Sequence, residues 1–426
     1  MVKLRGKLYP LAPWAAGVLI ALVGTPAWAV DLKTADGAWT FSIDGNVNVD
    51  YIYSNCESST TPAVAGGLAC LGSASGSNVS NIGNGLLPAA FTFAVSTTQG
   101  GYDLSAHLGL FPGIATNDGG SPNLQQGTTN GSSNTALGTT GLDVRQVYMT
   151  FGNKDVGTFT FGRNFGLFGF DAIINDMTLP GVGVAGSASS AAPANTTLGS
   201  IGLGYIYVDT LAQMDYTTPD FSGLNFTIGI FDPINAAGHG DTVAPKKAPG
   251  FHGKAAWTMP INSTTKFYGS VTFIEQKQDY IGAAGPYSWD GTGVDVFAKI
   301  DVQDFEAFAY YYHGSGLGTT GLFVLSDDGL GNKRDSDGFL VQATYKVGQV
   351  KFGVNYGESK LDYANAADQA ANPALVSKNK KVTGGVYDSL TKNLTLLAEI
   401  SDVHADAHNG VSNHSTNFNI GAFLSF

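Results

Sequence analysis

The feature that most constrains this chain is an alternation of apolar and polar or small residues, repeated over segments of about ten positions. The C-terminal segment is the clearest case, where one parity carries Phe418, Ile420, Ala422, Leu424 and Phe426. A period of two places the two sets on opposite faces of a β-strand. Beyond residue 30 there is neither sustained helical periodicity nor an apolar stretch of about 18 residues, which excludes a bundle of membrane helices. We therefore expect an all-β protein.

The alternation predicts about 16 strands. They are placed near 41–53, 88–97, 102–110, 143–152, 157–166, 202–217, 224–232, 251–259, 265–276, 292–301, 305–313, 337–347, 350–360, 380–388, 393–403 and 415–426.

The connections between these strands alternate between long and short. A long cysteine-bearing segment precedes a tight turn near Gln99, and a long Ser/Asn/Gly-rich segment, 111–141, precedes another tight turn at 153–155. Outer-membrane barrels have short periplasmic turns and long external loops in this order. The sequence thus predicts a closed transmembrane antiparallel β-barrel with both termini on the periplasmic side.

Strand parity also predicts which side chains face the lumen. Apolar sets such as Val47, Val49 and Tyr51 should face lipid. The predicted pore-lining residues on the other parity are Asp44, Asn46, Asn48, Asp50, Lys254, Lys299 and Lys351. Because a barrel of about 16 strands cannot be filled by its own side chains, we expect a water-filled channel.

The first 29 residues have the pattern of a secretory signal peptide. Three cations, Lys3, Arg5 and Lys7, precede an apolar run and the small-x-small motif 27–29, so the mature barrel domain should span 30–426. The alternative is a membrane anchor, although the apolar run is short for a spanning helix. Export to an oxidising compartment favours a Cys56–Cys70 disulfide over two free thiols.

Charge and composition narrow the class of protein further. The net charge of −12 makes nucleic acid an unsuitable partner, and charged residues are only 13% of the chain. The 57 glycines and 25 phenylalanines suit turns and the aromatic girdles of a membrane barrel.

Three segments and the terminal Phe426 resemble the trimeric Gram-negative general porins, over essentially the whole mature chain. The segments are 143–148 (DVRQVY), 157–166 (GTFTFGRNFG) and 216–223 (YTTPDFSG). This resemblance implies an outer-membrane homotrimer that passes ions and small hydrophilic solutes by passive diffusion. A solute-specific outer-membrane channel is the alternative.

The resemblance also implies that the third external loop, here 167–200, folds into the pore and narrows it. Asp171 and Asp176 are then candidate acidic residues of the constriction, and Arg145 matches a position of the basic wall. Arg145 shares its parity with apolar Val147, so a β-bulge or a loop-proximal position is needed to turn it inward.

Two further residues take roles from the resemblance. Arg163 shares the outward parity of Phe159 and Phe161, and is expected either at a trimer contact or at the lipid head groups. Phe426 resembles the signal read by the barrel assembly machinery, although a terminal girdle aromatic would look the same. Contact with lipopolysaccharide is expected of such a barrel.

The sixth strand departs from the family pattern, because Asp209 stands in a region where many relatives carry a basic wall residue. Together with the acidic first strand, it suggests a weak cation preference. His404, His408 and His414 cluster with Asp402 and could bind a metal, but we interpret them as a solvated external loop.

No cofactor is predicted, and no nucleophile is paired with a base, so an enzyme is not expected. An outer-membrane hydrolase would need a lipid-facing Ser-His pair that the sequence does not reveal, and an adhesin would need ligand-binding loops.

Overall fold

The computed structural model describes residues 30–57, 64–70, 78–114, 142–185, 196–236, 242–282 and 285–426. The predicted signal peptide lies outside these residues, as do most of segment 111–141 and part of segment 167–200. Within the described ranges, no helix is both long and apolar enough to cross a membrane.

In the described ranges, the regular structure consists of nineteen strands and two short helices. The strands are β1 Val30–Lys33, β2 Thr40–Cys56, β3 Val79–Gly83, β4 Ala90–Gln99, β5 Tyr102–Pro112, β6 Leu142–Asn153, β7 Gly157–Phe165, β8 Thr210–Thr217, β9 Leu224–Phe231, β10 Thr242–Val243, β11 Gly250–Pro260, β12 Thr265–Gly282, β13 Gly285–Val302, β14 Phe305–Ser315, β15 Asp335–Val347, β16 Val350–Leu361, β17 Val376–Asp388, β18 Leu394–Ala407 and β19 Ser412–Ser425. The helices are α1 Phe170–Asn175 and α2 Ala366–Ala371.

Sixteen of these strands form a closed antiparallel barrel, as predicted. Each long strand pairs with the next along the chain, and β19 closes the cylinder by pairing with β2. The short strands β1 and β3 both pair with β2, and β10 pairs with β12. In the described part of the chain, every barrel strand has a partner on both sides, so no sheet edge is left open to lipid.

Exposure alternates along the strands as the period of two requires. On β2, Val49 and Tyr51 are exposed, whereas Asn48 and Asp50 are buried. On β9, Ile228 is 62% exposed, a fraction that a water-soluble protein rarely allows an isoleucine. The outer surface is thus the apolar one, as the sequence predicts.

The inner face is not polar throughout. Inward-facing aromatics of β12, β13 and β14 join Phe168 and Tyr205, from the segment between β7 and β8, in one apolar cluster. This cluster is the main core of the molecule, and it lies inside the barrel. The segment therefore occupies part of the lumen that the strand pattern alone leaves open.

At two places where the sequence predicts a long external loop, the strands continue and leave only a short turn. The β12–β13 hairpin continues to Gly282 and Gly285, and the β18–β19 hairpin continues to Ala407 and Ser412. The ladders extend because residues at these ends still alternate and pair across the hairpin. By contrast, residues 202–209 precede β8 instead of starting it, since the chain turns at Asp209 with a φ of 56°.

Candidate functional site

Residues 169–183, from the segment between β7 and β8, run along the inner wall of the barrel. The backbone N–H of Gly169 donates to Asp295 on β13 at 2.7 Å. The N–H of Met177 donates to Gln342 on β15, also at 2.7 Å. Because both acceptors face inward, this segment is inside the cylinder and passes from one strand to the next.

The far end of this segment is bound by Glu399 on β18. One carboxylate oxygen of Glu399 accepts the N–H groups of Val182 and Gly183, both at 2.8 Å. The other oxygen accepts the hydroxyl of Tyr387 at 2.6 Å. A Cβ at position 181 would lie 2.1 Å from the Glu399 carboxylate, so a larger residue there would displace this carboxylate.

Asp171, in α1, attaches the near end of the segment to the wall. Its carboxylate lies 2.6 Å from the Lys254 ammonium on β11. The hydroxyls of Tyr268 and Ser270 on β12 also donate to it. Asp171 and Lys254 therefore form a buried, hydrogen-bonded ion pair, which neutralises both charges at this point of the wall.

Asp176 lies midway along the segment and meets uncharged donors. The hydroxyl of Tyr205 lies 3.0 Å and the amide of Asn355, on β16, 3.2 Å from its carboxylate. Its charge acts electrostatically on Lys381 of β17, as does that of Glu399. The Lys381 ammonium itself donates to Thr383 at 3.0 Å.

A β-bulge turns Arg145 inward, which is one of the two arrangements that its sequence parity allows. Gly109 pairs with Gln146, and the next residue, Leu110, pairs with Val144, so the ladder skips Arg145. The extra residue reverses the facing direction of the strand beyond it, so that neighbouring Arg145 and Gln146 are both buried.

Inside the barrel, the Arg145 guanidinium is paired with a carboxylate of the same strand. It lies 3.2 Å from Asp143 and packs over the ring of Phe111, 5.2 Å from its centroid. Arg145 is only 5% exposed.

The polar residues of β2 point inward, but segment 84–88 covers most of them. The amides of Asn46 and Asn48 donate to backbone carbonyls of this segment at 3.0 and 2.8 Å. Asp50 accepts the amide of an asparagine on β19 at 3.0 Å, and Asp44 accepts a threonine hydroxyl of β4. These side chains therefore support the wall as well as facing the interior.

Lys299 and Lys351 lie towards the short-turn end of the barrel. The Lys299 ammonium is 3.1 Å from Asp301 and 3.6 Å from Glu306. Lys351 lies over the ring of Tyr387 at 5.2 Å.

Asp209 and Arg163 lie near one end of the β7–β8 ladder. Asp209 is 2% exposed, and its carbonyl accepts the N–H of Gly166 at 3.2 Å. Arg163 pairs in register with exposed Val147, so it is on the outer face, and it donates to the Thr210 hydroxyl at 2.9 Å.

The cysteine pair and the C-terminal residue are both fixed by bonds. Cys56, the last residue of β2, is disulfide-bonded to Cys70 as predicted. Phe426 and Gly45 exchange two backbone hydrogen bonds, of 2.9 and 3.0 Å, and the Phe426 ring contacts that of Phe91. The last residue is thus part of the barrel closure.

The interpretation of the histidines as a solvated loop is wrong for two of them. His404 and His414 are on β18 and β19 and are register partners, because the ladder extends beyond the predicted strands. His408 is in the turn between them, and its ring is stacked on Tyr363.

Lys381 and Glu399 are two inner-wall residues that the sequence reasoning missed. Both fall in predicted strands, at the parity of buried Thr383 and Ser401. Strand parity alone could have assigned them to the inner face. What parity could not supply is the segment that binds Glu399.

Comparison with known proteins places this architecture in a family. A profile of the Gram-negative porins matches residues 15–408. Comparison with curated protein sequences gives no match.

Several solved structures share the fold. The outer-membrane channel DcaP of Acinetobacter baumannii aligns with a TM-score of 0.66 at 15% identity, covering 93% of this chain and 99% of DcaP. OmpF of Salmonella typhi, in complex with daunomycin, aligns with a TM-score of 0.56 at 13% identity over 93% and 100% of the two chains. A trimer form of OmpT from Vibrio cholerae gives a TM-score of 0.50 at 12% identity over 91% and 100%. The chain therefore belongs to the Gram-negative porin family and is an outer-membrane channel protein.

Proposed function

We propose that the chain forms a water-filled pore through which ions and small hydrophilic solutes diffuse passively, with segment 167–200 as its constriction. The observation that carries this proposal is the path of residues 169–183 across inward-facing side chains of several strands. A loop held there reduces the cross-section of a barrel that is otherwise too wide to be filled. Solutes would then be sorted by size and charge.

The charges beside this segment favour a weak preference for cations. The charges of Asp171 and Arg145 are each matched by a partner, Lys254 and Asp143 respectively. Farther along the segment, Asp176 and Glu399 both interact electrostatically with Lys381, so two carboxylates share one ammonium. Carboxylates in a confined pore raise the local cation concentration.

Reversal potentials in a tenfold KCl gradient across planar bilayers test this preference. We expect a modest cation-selective potential for the wild type, a smaller one for Asp176→Asn and a larger one for Lys381→Met. Lys333→Met in an external loop serves as the matched control and should leave the potential unchanged. An anion-selective wild type would contradict the proposal.

Liposome swelling tests the passive, unspecific character of the pore. Swelling rates should fall smoothly with the size of neutral sugars and should not saturate with concentration. Saturation by one sugar would favour a solute-specific channel instead. A row of stacked rings, Tyr280, Tyr287 and Trp289, could suggest such a channel, but Tyr280 and Trp289 are only 1% and 4% exposed.

We further propose that the pore assembles as a homotrimer with Arg163 at the subunit contact. The outward position of Arg163 and the trimer form of OmpT support this assembly. Unheated protein should migrate as a trimer on a gel, and Arg163→Glu should lower the temperature at which the trimer dissociates. Migration of unheated wild type as a monomer would contradict the proposal.

The remaining proposals concern export and membrane insertion. Residues 1–29 would be cleaved as a signal peptide, leaving 30–426 as the barrel domain. Phe426 would serve the assembly machinery, and the outer face would contact lipopolysaccharide. N-terminal sequencing of the mature protein and deletion of Phe426, which should reduce insertion, test these steps.

A further inference from the structure

We propose that Asp402, His404 and His414 form a binding site for a divalent transition-metal ion, with zinc as the reference ion. The three side chains are on the outer face of the β18–β19 hairpin, away from the pore. The proposal is independent of solute transport.

The backbone presents these residues together. His404 and His414 are opposite each other in the antiparallel ladder, and Asp402 is two residues before His404 on the same strand. Opposite residues, and residues two apart, share one face of a sheet. Inward-facing Val403 and Ala405 are fully buried, which fixes the register and keeps the three ligands outward.

The ligand atoms already converge. One ligand atom from each of the three side chains lies within 4.8 Å of the others. The Nε2 atoms of His404 and His414 are 2.8 and 2.7 Å from the two oxygens of Asp402. The imidazole rings are stacked, with centroids 4.1 Å apart.

A metal ion fits this arrangement with little movement. Tetrahedral zinc bonds nitrogen and oxygen at about 2.0–2.2 Å, which places its ligands about 3.3 Å apart. The present N–O distances would open by less than about 1 Å, while the ion enters between Asp402 and the two rings. Two imidazoles and a carboxylate are a ligand set suited to zinc, copper and nickel.

Glu57 supplies an outer contact of the kind found in protein metal sites. Its carboxylate is 2.9 Å from Nδ1 of His414. A carboxylate on this nitrogen orients the ring and leaves Nε2 as the metal-binding atom. Glu57 directly follows Cys56, whose disulfide to Cys70 anchors the chain at this point.

The site is open to solvent. The side chains of Asp402, His404 and His414 are 41%, 37% and 29% exposed, which leaves room for a water or a further ligand. Outward-facing Ile400, two residues before Asp402, and its register partner Phe418 belong to the exposed apolar surface. A bound ion would thus lie just beyond the apolar band and would join the hairpin to the start of the loop after β2.

Zinc binding by the purified, detergent-solubilised protein tests the proposal. The protein is treated with EDTA, freed of the chelator and titrated with Zn²⁺ against a chromophoric competitor. We expect one site per chain, with affinity reduced at least tenfold in His404→Ala and in His414→Ala. Glu57→Gln should weaken binding about tenfold, since it acts through the orientation of His414.

The matched control is His313→Ala, which removes a histidine that is opposite a single carboxylate, Asp337, on the outer face of β14. It should bind zinc like the wild type. Unheated gel migration confirms that each variant keeps its barrel. As a second measurement, Co²⁺ should give the visible absorption of a tetrahedral nitrogen–oxygen site in the wild type.

Two results would overturn the proposal. One is a wild type that does not compete for zinc and gives no Co²⁺ absorption. The other is undiminished zinc affinity after both His404 and His414 have been replaced in an intact barrel.

Discussion

Replacing Glu399 by glutamine should loosen the segment that crosses the lumen. The carboxylate of Glu399 accepts two backbone N–H groups, from Val182 and Gly183, and the hydroxyl of Tyr387. Glutamine keeps the shape and one acceptor oxygen. It removes the charge, and it brings an NH₂ group towards one set of donors.

The size of the effect follows from the two bonds that join Glu399 to the segment, those from Val182 and Gly183, since Tyr387 belongs to the wall. A hydrogen bond to a charged acceptor contributes about 1.5–3 kcal/mol, against about 1 kcal/mol for a neutral one. Losing the charge therefore costs roughly 1 kcal/mol per bond, or roughly 2 kcal/mol for the attachment. Because 1.4 kcal/mol is a factor of ten, the detached state of the segment should become roughly thirtyfold more populated.

Single-channel recording detects this change. Glu399→Gln should show frequent transitions between conductance levels and an altered cation preference, whereas Glu399→Asp, which keeps the charge, should show a smaller effect. Glu358→Gln, on the outer face of β16, is the matched control and should behave as the wild type. Traces of Glu399→Gln that match the wild type in noise, conductance and selectivity would refute this attachment.

Other predictions concern stability. Burial opposes the charge of Asp368, but hydrogen bonds from Arg334 and neighbouring groups outweigh it and lower the pKa of Asp368 to about 2. Ionised Asp368 should stabilise the fold fully above the ordinary pKa of 3.8, and this stabilisation should disappear as the pH falls through about 2. The melting temperatures of wild type and Asp368→Asn should therefore differ at pH 7 and converge near pH 2. Replacing Cys56 and Cys70 by serine should destabilise the folded loop between them by about 3 kcal/mol. A protease should then cut this loop faster in the double variant than in the wild type, and equal cleavage rates would contradict the prediction. Arg145→Met should lower the free energy of unfolding by about 3 kcal/mol, because the buried carboxylate of Asp143 loses the guanidinium that neutralises its charge. An unchanged denaturation midpoint would argue against the pair.

Strand periodicity is sufficient to predict the strands of the barrel, because the alternation of apolar and polar residues assigns each side chain to one face of the sheet. The order of long and short connections then indicated the strand number and closure. The prediction is wrong at the ends of the β12–β13 and β18–β19 hairpins, because the polar residues there favour a loop in the sequence pattern. Polar side chains on an outward face beyond the lipid are also compatible with strand.

The interior was harder to predict than the wall. The partners of Asp171 and Glu399 lie far away in sequence, on β11 and β12 for Asp171 and at residues 182–183 for Glu399, so no local pattern predicts them. For Arg145, the sequence predicts only that a bulge or a loop-proximal position is needed. The residue that the ladder skips depends on how β5 pairs with β6, which the sequence of β6 alone does not contain. The cover over Asn46 and Asn48 depends likewise on segment 84–88.

Conductance of the purified protein in planar lipid bilayers tests most directly whether the cylinder encloses water. The account predicts stepwise, long-lived openings whose conductance rises in proportion to the salt concentration, as expected of ions moving through an aqueous pore. Inserted protein that leaves the bilayer non-conducting at every salt concentration would contradict it.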